Sequence, residues 1–189
     1  MSIWSRLFGG SKPSQEAASP PRIPTVQFDP RSVTKTVKKD LRQNVSTLTE
    51  IPKIHHSAVY DAALRSILRG RDIGSLTKAI LELPQNRISP RQAGSIAHDL
   101  NNKATALIQQ ERMLWSGIKE CRWGYSGAPC VPSWAEERGA YEKQDETHKA
   151  ANGRVFPVAE GLVLDGKNTW PGRENGCKCI ARPLIKGFS

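Results

Sequence analysis

The 189-residue sequence has no long apolar run, only four cysteines, 6% aromatic residues and no Cys-x-x-Cys pair. Each shortage excludes something. No stretch approaches the roughly 18–20 apolar residues of a membrane span, so no membrane partner is expected. The opening Met1–Gly10 lacks the apolar core and cleavage site of a secretory signal. The expectation is a soluble, intracellular protein. Four cysteines are too few for a disulfide scaffold. No Gly-x-Ser-x-Gly, Walker loop or His-Glu-x-x-His occurs, which leaves hydrolase and nucleotide-binding motifs unrepresented. Basic residues are not interleaved with aromatics, so any nucleic-acid signal is electrostatic only.

What is present is charge, unevenly placed. Lys and Arg number 28 against 18 Asp and Glu, a net charge of +10. Residues 1–110 hold 16 basic and 8 acidic residues, whereas residues 111–189 hold 12 and 10 and all four cysteines. Residues 1–32 carry prolines at 13, 20, 21, 24 and 30 and read as an extended or disordered arm. Its apolar tip, Ile3, Trp4, Leu7 and Phe8, is either a docking peptide or a frayed terminus. Residues 33–116 form a basic helical region, suited to a polyanion or an acidic protein surface. Residues 117–189 form a small, turn-rich unit.

Residues 31–53 are basic and weakly patterned. Ala58, Val59, Ala62, Ala63, Ile67 and Leu68 share one helix face that stops near Gly70. A short helix is expected from Ser75 to before Pro84. A long one is expected over about residues 90–116, capped by Ser89 with Pro90 in its first turn. Thereafter Ile118–Tyr125 alternates as a strand, 126–134 is a turn region and 135–151 is helix-compatible. Asn152-Gly153 and Asp165-Gly166 are turns flanking short apolar strands, and Cys177–Ile185 is a closing strand with Pro183 at an edge. The fold class is α+β: a helical N-terminal region with a long helix, then a small β-containing domain with a metal as its candidate staple.

The candidate ligands are Cys121, Cys130, Asp145, His148, Cys177 and Cys179. Asp145 and His148 lie three apart on one helix face, so the carboxylate can share an ion or orient the imidazole. On a strand, Cys177 and Cys179 share a face and can meet one ion. A tetrahedral zinc site from Cys177, Cys179, His148 and one of Cys130, Cys121 or Asp145 is coherent chemistry, against packed, reduced thiols. His55, His56 and His98 read as structural.

Three ordered blocks resemble the phage Mu F-like minor head proteins, the head-morphogenesis domain of tailed phages. They are Trp123-Gly-Tyr-Ser126; His148, Asn152, Gly153 and Phe156; and Pro171-Gly172 with Cys177-Lys-Cys179. The resemblance covers about residues 90–187. It implies a virion protein acting in head morphogenesis at the portal or inner capsid, in the host cytoplasm during assembly. Expected partners are portal, major capsid or scaffold proteins, with DNA as a candidate for the basic region. Some members carry Cys-x-x-Cys where this chain has Asp145-Glu-Thr-His148, which puts His148 at a thiolate-like ligand position. The alternative is a metal-dependent nuclease or toxin-like effector using His148 and Asp145.

Overall fold

The computed structural model describes residues 29–85, 87–132, 139–185 and 187. Most of the expected arm, with its apolar tip, lies outside them, as do residues 133–138. The fold is α+β. Among the described residues are five α-helices: α1 (Lys35–Ser46), α2 (His56–Leu68), α3 (Ile73–Leu81), α4 (Pro90–Trp115) and α5 (Gly139–Ala150). The strands are β1 (Glu120–Gly124), β2 (Val155–Pro157), β3 (Leu162–Leu164), β4 (Lys167–Thr169) and β5 (Ile180–Pro183).

Helix α1 corrects the weakly patterned reading of residues 31–53. Thr34 caps it by accepting the Val37 N–H, and Val37, Leu41 and Val45 recur every four residues to bury one narrow stripe. Helix α3 starts two residues earlier than expected, because Asp72 rather than Ser75 caps it, its carboxylate accepting the Ser75 N–H at 3.1 Å. Helix α4 matches its sequence signals. Ser89 Oγ accepts the Gln92 N–H, Gln92 Oε1 accepts the Ser89 N–H, and Pro90 occupies the first turn.

Helices α1 to α4 enclose one apolar core, to which α4 gives Ala93, Ile96, Ala97, Leu100, Ala104 and Ile108. The same helix gives Ala106 and Met113 to a second core, with Trp123, Phe156, Trp170 and the cysteines. Strand β1 is central in an antiparallel sheet of order β2-β1-β5. Its alternation buries Cys121 and Trp123 and exposes Glu120 and Arg122. Strands β3 and β4 form a hairpin across Asp165-Gly166, whose φ values of 47° and 76° are those of a type I′ turn. The closing strand is shorter than expected: Cys177–Cys179 precede it, and pairing starts at Ile180.

The two cores are joined by polar contacts to the loop between β4 and β5. Arg173 Nη2 donates to Asp40 Oδ1 on α1 at 2.5 Å, Lys103 Nζ to Asn175 Oδ1 at 2.5 Å, and Gly176 N to Asp99 Oδ1 at 3.1 Å. Burial raises the Asp99 pKa to about 6, outweighing the Gly176 N–H and the Lys103 and Lys178 charges. A carboxyl with a raised folded pKa costs stability above that value and regains it as pH falls toward its unfolded value. Asp99→Asn keeps an acceptor for Gly176 and removes the buried charge. We expect the variant to be about 1 kcal/mol more stable than wild type at pH 7.5. The difference should shrink as pH falls below about 6 and close only below the free carboxylate value, near about pH 3, read by thermal unfolding of both proteins at each pH.

Candidate metal centre

Sequence-distant turns carry the candidate residues into one place. The end of α5 is tied to β1 by Asn152 Oδ1, which accepts the Tyr125 N–H at 2.9 Å, and by Gly153 N, which donates to Trp123 O at 2.8 Å. These bonds set His148 against the Trp123 ring, with centroids 5.1 Å apart. Cys177 and Cys179 arrive on the loop before β5, with exposed Lys178 between them pointing away. Lys178 Nζ donates to Pro129 O at 2.5 Å and to Val131 O at 3.3 Å, clamping the segment that carries Cys130. Gly176 permits that crossing: a Cβ there would stand 2.3 Å from Pro132 N.

The result is a buried group of Cys130, His148, Cys177 and Cys179 whose ligand atoms all lie within 4.8 Å of one another, and it could hold a metal ion. Cys130 Sγ is 3.5 Å from Cys179 Sγ, and His148 Nδ1 is 3.5 Å from Cys177 Sγ and 3.9 Å from Cys179 Sγ. Three sulfurs and one imidazole nitrogen suit a borderline or soft ion rather than the hard, oxygen-seeking Mg²⁺ or Ca²⁺. The group is enclosed: His148 is 1% exposed and Cys130 0%.

Supporting contacts orient each ligand. His148 Nε2 donates to Glu174 Oε2 at 2.6 Å, which leaves Nδ1 facing the sulfurs. Gly172 N donates to Cys177 Sγ at 3.2 Å. Asp145 does not join the group. Its Oδ1 accepts the Cys130 N–H at 2.6 Å and the Tyr125 hydroxyl at 2.9 Å, so it holds a ligand's backbone in place. Cys121 also stands apart, buried on β1, where burial pushes its thiol up to about 12.

The four side chains are electrostatically coupled. Hydrogen bonds from Cys177 and Cys179 hold the Cys130 thiol well below its usual range, while the contact with Cys130, then that with Cys177, pushes Cys179 up. Burial acts to lower the His148 pKa, but bonds to Cys130, Cys177 and Glu174 prevail and raise it to about 11. Without an ion, Cys130 is thereby held toward its thiolate opposite a positively charged imidazole, while Cys179 keeps its proton.

Glu174 carries no local sequence signal, because its partner lies 26 residues away. Glu174→Gln keeps the shape and loses the charge. We expect the metal Kd to rise about 10–100-fold, measured by competition with a chromophoric chelator.

Comparisons with protein-family models, curated proteins and solved structures return no match for this chain.

Proposed function

We propose that this chain is a minor head protein of a tailed phage or prophage that acts in head morphogenesis, with a zinc-stapled C-terminal unit as its rigid module. The observation that carries the reading is the convergence of the three motif blocks on one centre. The Trp123 ring packs at a tilt against both His148 and Phe156, with centroids 5.1 and 6.0 Å away, and Cys177 and Cys179 join His148 in the group.

Zinc fits the donor set. Zn–S bonds of about 2.3 Å and Zn–N bonds of about 2.0–2.1 Å give tetrahedron edges of about 3.5–3.8 Å. Three of the six separations, at 3.5, 3.5 and 3.9 Å, lie near that scale, and all six stay within 4.8 Å. Four enclosing protein ligands describe a structural site, whereas a catalytic zinc keeps one position open for water or substrate. The closure of His148 from solvent and the commitment of Asp145 to Cys130 and Tyr125 weigh against the nuclease reading.

The basic helical region is then the docking face for portal, scaffold or DNA. Lys35, Lys38, Lys39 and Arg42 are exposed on α1, and none of them forms an ion pair among the described residues. Association should weaken steeply with salt. The test is purification of tagged protein from cells assembling heads. The expected result is recovery of portal, scaffold or capsid protein at low salt and their loss at high salt. Recovery of the chain alone under both conditions contradicts the assignment.

A further inference from the structure

Of the cavities along α4, two carry carboxylates, Glu50 and Asp99 in one and Glu160 and Glu174 in another. A third, of about 290 Å³, has no carboxylate in its lining. It lies between α4 and the loop of Cys177 and Cys179, and its charged lining residues are Arg71 and Lys178, both exposed. Neither forms an ion pair among the described residues. Lys178 Nζ donates to the neutral carbonyls of Pro129 and Val131, which leave its charge in place.

Arg71 is held there under strain. Its φ is 75°, in the left-handed region that glycine adopts freely and a side chain does not. The turn is pinned on both sides: Arg71 N donates to Ser66 O at 2.9 Å, while Ser66 Oγ donates to Asp72 O at 2.8 Å and reaches the buried Asn101 Oδ1 of α4 at 3.2 Å. The guanidinium crosses to α4, where Nη2 donates to Asn102 Oδ1 at 2.5 Å. Strained backbone residues cluster at ligand clamps. With Oδ1 turned to the guanidinium, Asn102 Nδ2 is a donor with no acceptor among the described residues. Gln109, about two turns further along the same stripe of α4, has no side-chain partner among them either.

These donors select the occupant. A metal cation is repelled by Arg71 and Lys178 and finds no carboxylate. A wholly apolar ligand strips water from a guanidinium and returns nothing for it. A phosphate offers several acceptor oxygens, and the planar guanidinium matches two of them at once. The cavity is too long for the anion alone, because Asn102 and Gln109 stand about 10 Å apart along the helix. Ala106 lies between them, and exposed Ile180 completes an apolar stretch of the lining. We propose that this cavity binds a phosphate group carried on an organic body, its oxygens on Arg71 and Asn102 and its body along Ala106 and Ile180 toward Gln109.

The experiment is titration calorimetry of the full chain with inorganic phosphate, a nucleoside 5′-monophosphate and a short single-stranded oligodeoxynucleotide. Arg71→Gly is the decisive variant, because glycine accepts a φ of 75° and so deletes the guanidinium while relaxing the turn. It should melt no lower than wild type, keep the wild-type metal content and bind the phosphate probes about 10-fold or more weaker. Metal content is read separately, so a loss of phosphate binding is not mistaken for a loss of the metal centre. Asn102→Asp, which sets a carboxylate against Arg71, should lose as much affinity. Inorganic phosphate, lacking the body, should bind weakest. Tighter binding of the monophosphate than of the oligonucleotide puts the phosphate on a free small molecule, and the reverse order puts it on a nucleic-acid strand. Failure of every probe to bind wild type at millimolar concentration, or equal affinity of wild type and Arg71→Gly, overturns the proposal.

Discussion

Cys177→Ser should leave well under one zinc per chain and melt the packing around Trp123 and Trp170, while most of the helical far-UV signal persists. The imbalance follows from how the two cores are built. The helical core has 17 buried apolar residues of its own and contains none of the cysteines. The second core is assembled from short strands and turns, with Cys130, Cys177 and Cys179 among its most buried members. Structural zinc in small domains contributes about 10–16 kcal/mol of apparent binding energy at pH 7, and that energy is folding energy. Losing one thiolate should therefore cost the C-terminal unit at least about 3 kcal/mol. Near-UV dichroism with elemental analysis on the same sample reads both effects. Retention of native tryptophan dichroism at wild-type thermal stability, with metal lost, would show that the metal is not the staple.

Gly176→Ala should be nearly as damaging, although it removes no ligand. Its φ of 69° suits glycine, and a Cβ would meet Pro132 N at 2.3 Å, Pro132 Cδ at 2.6 Å and Val131 C at 2.6 Å. Those are backbone and ring atoms that cannot swing aside, so the segment bearing Cys130 must lift away from Cys177. A loss of about 3–5 kcal/mol is expected, together with weaker metal binding. Gly153→Ala is the matched control. It has a similar φ of 84° with nothing within 4 Å of the added Cβ, so it should cost only about 1–2 kcal/mol of backbone strain. Equal losses in the two variants, by denaturant unfolding, would show that the crossing of the two loops is not what Gly176 protects.

The parts of this fold that were legible in the sequence are those whose signals are local. Helix α4 announces itself through Ser89, Pro90, Gln92 and a sustained apolar stripe. Helix α1 does not, because three apolar residues among four cations leave the pattern thin, and only Thr34 marks its start. Cys177 and Cys179 meet in one group as expected, but they do so from an irregular segment before β5 rather than from the strand itself. The choice of Cys130 over Cys121 and Asp145 was illegible. It rests on Lys178, Gly176 and Asp145 gripping residues 129–132 across gaps of 15 to 49 positions. Asp145 was expected within reach of the ion and stands instead behind a ligand. Spacing on a helix fixes which face a carboxylate shares, not which partner reaches it first.

On this reading a closed centre of three sulfurs and one imidazole nitrogen holds the C-terminal unit together. Elemental analysis of the purified chain, combined with zinc X-ray absorption, tests it most directly. The expected result is one zinc per chain with three sulfur neighbours at about 2.3 Å and one nitrogen at about 2.0–2.1 Å. Well under one metal ion per chain, with Cys130, Cys177 and Cys179 all freely titratable in the folded protein, would contradict it.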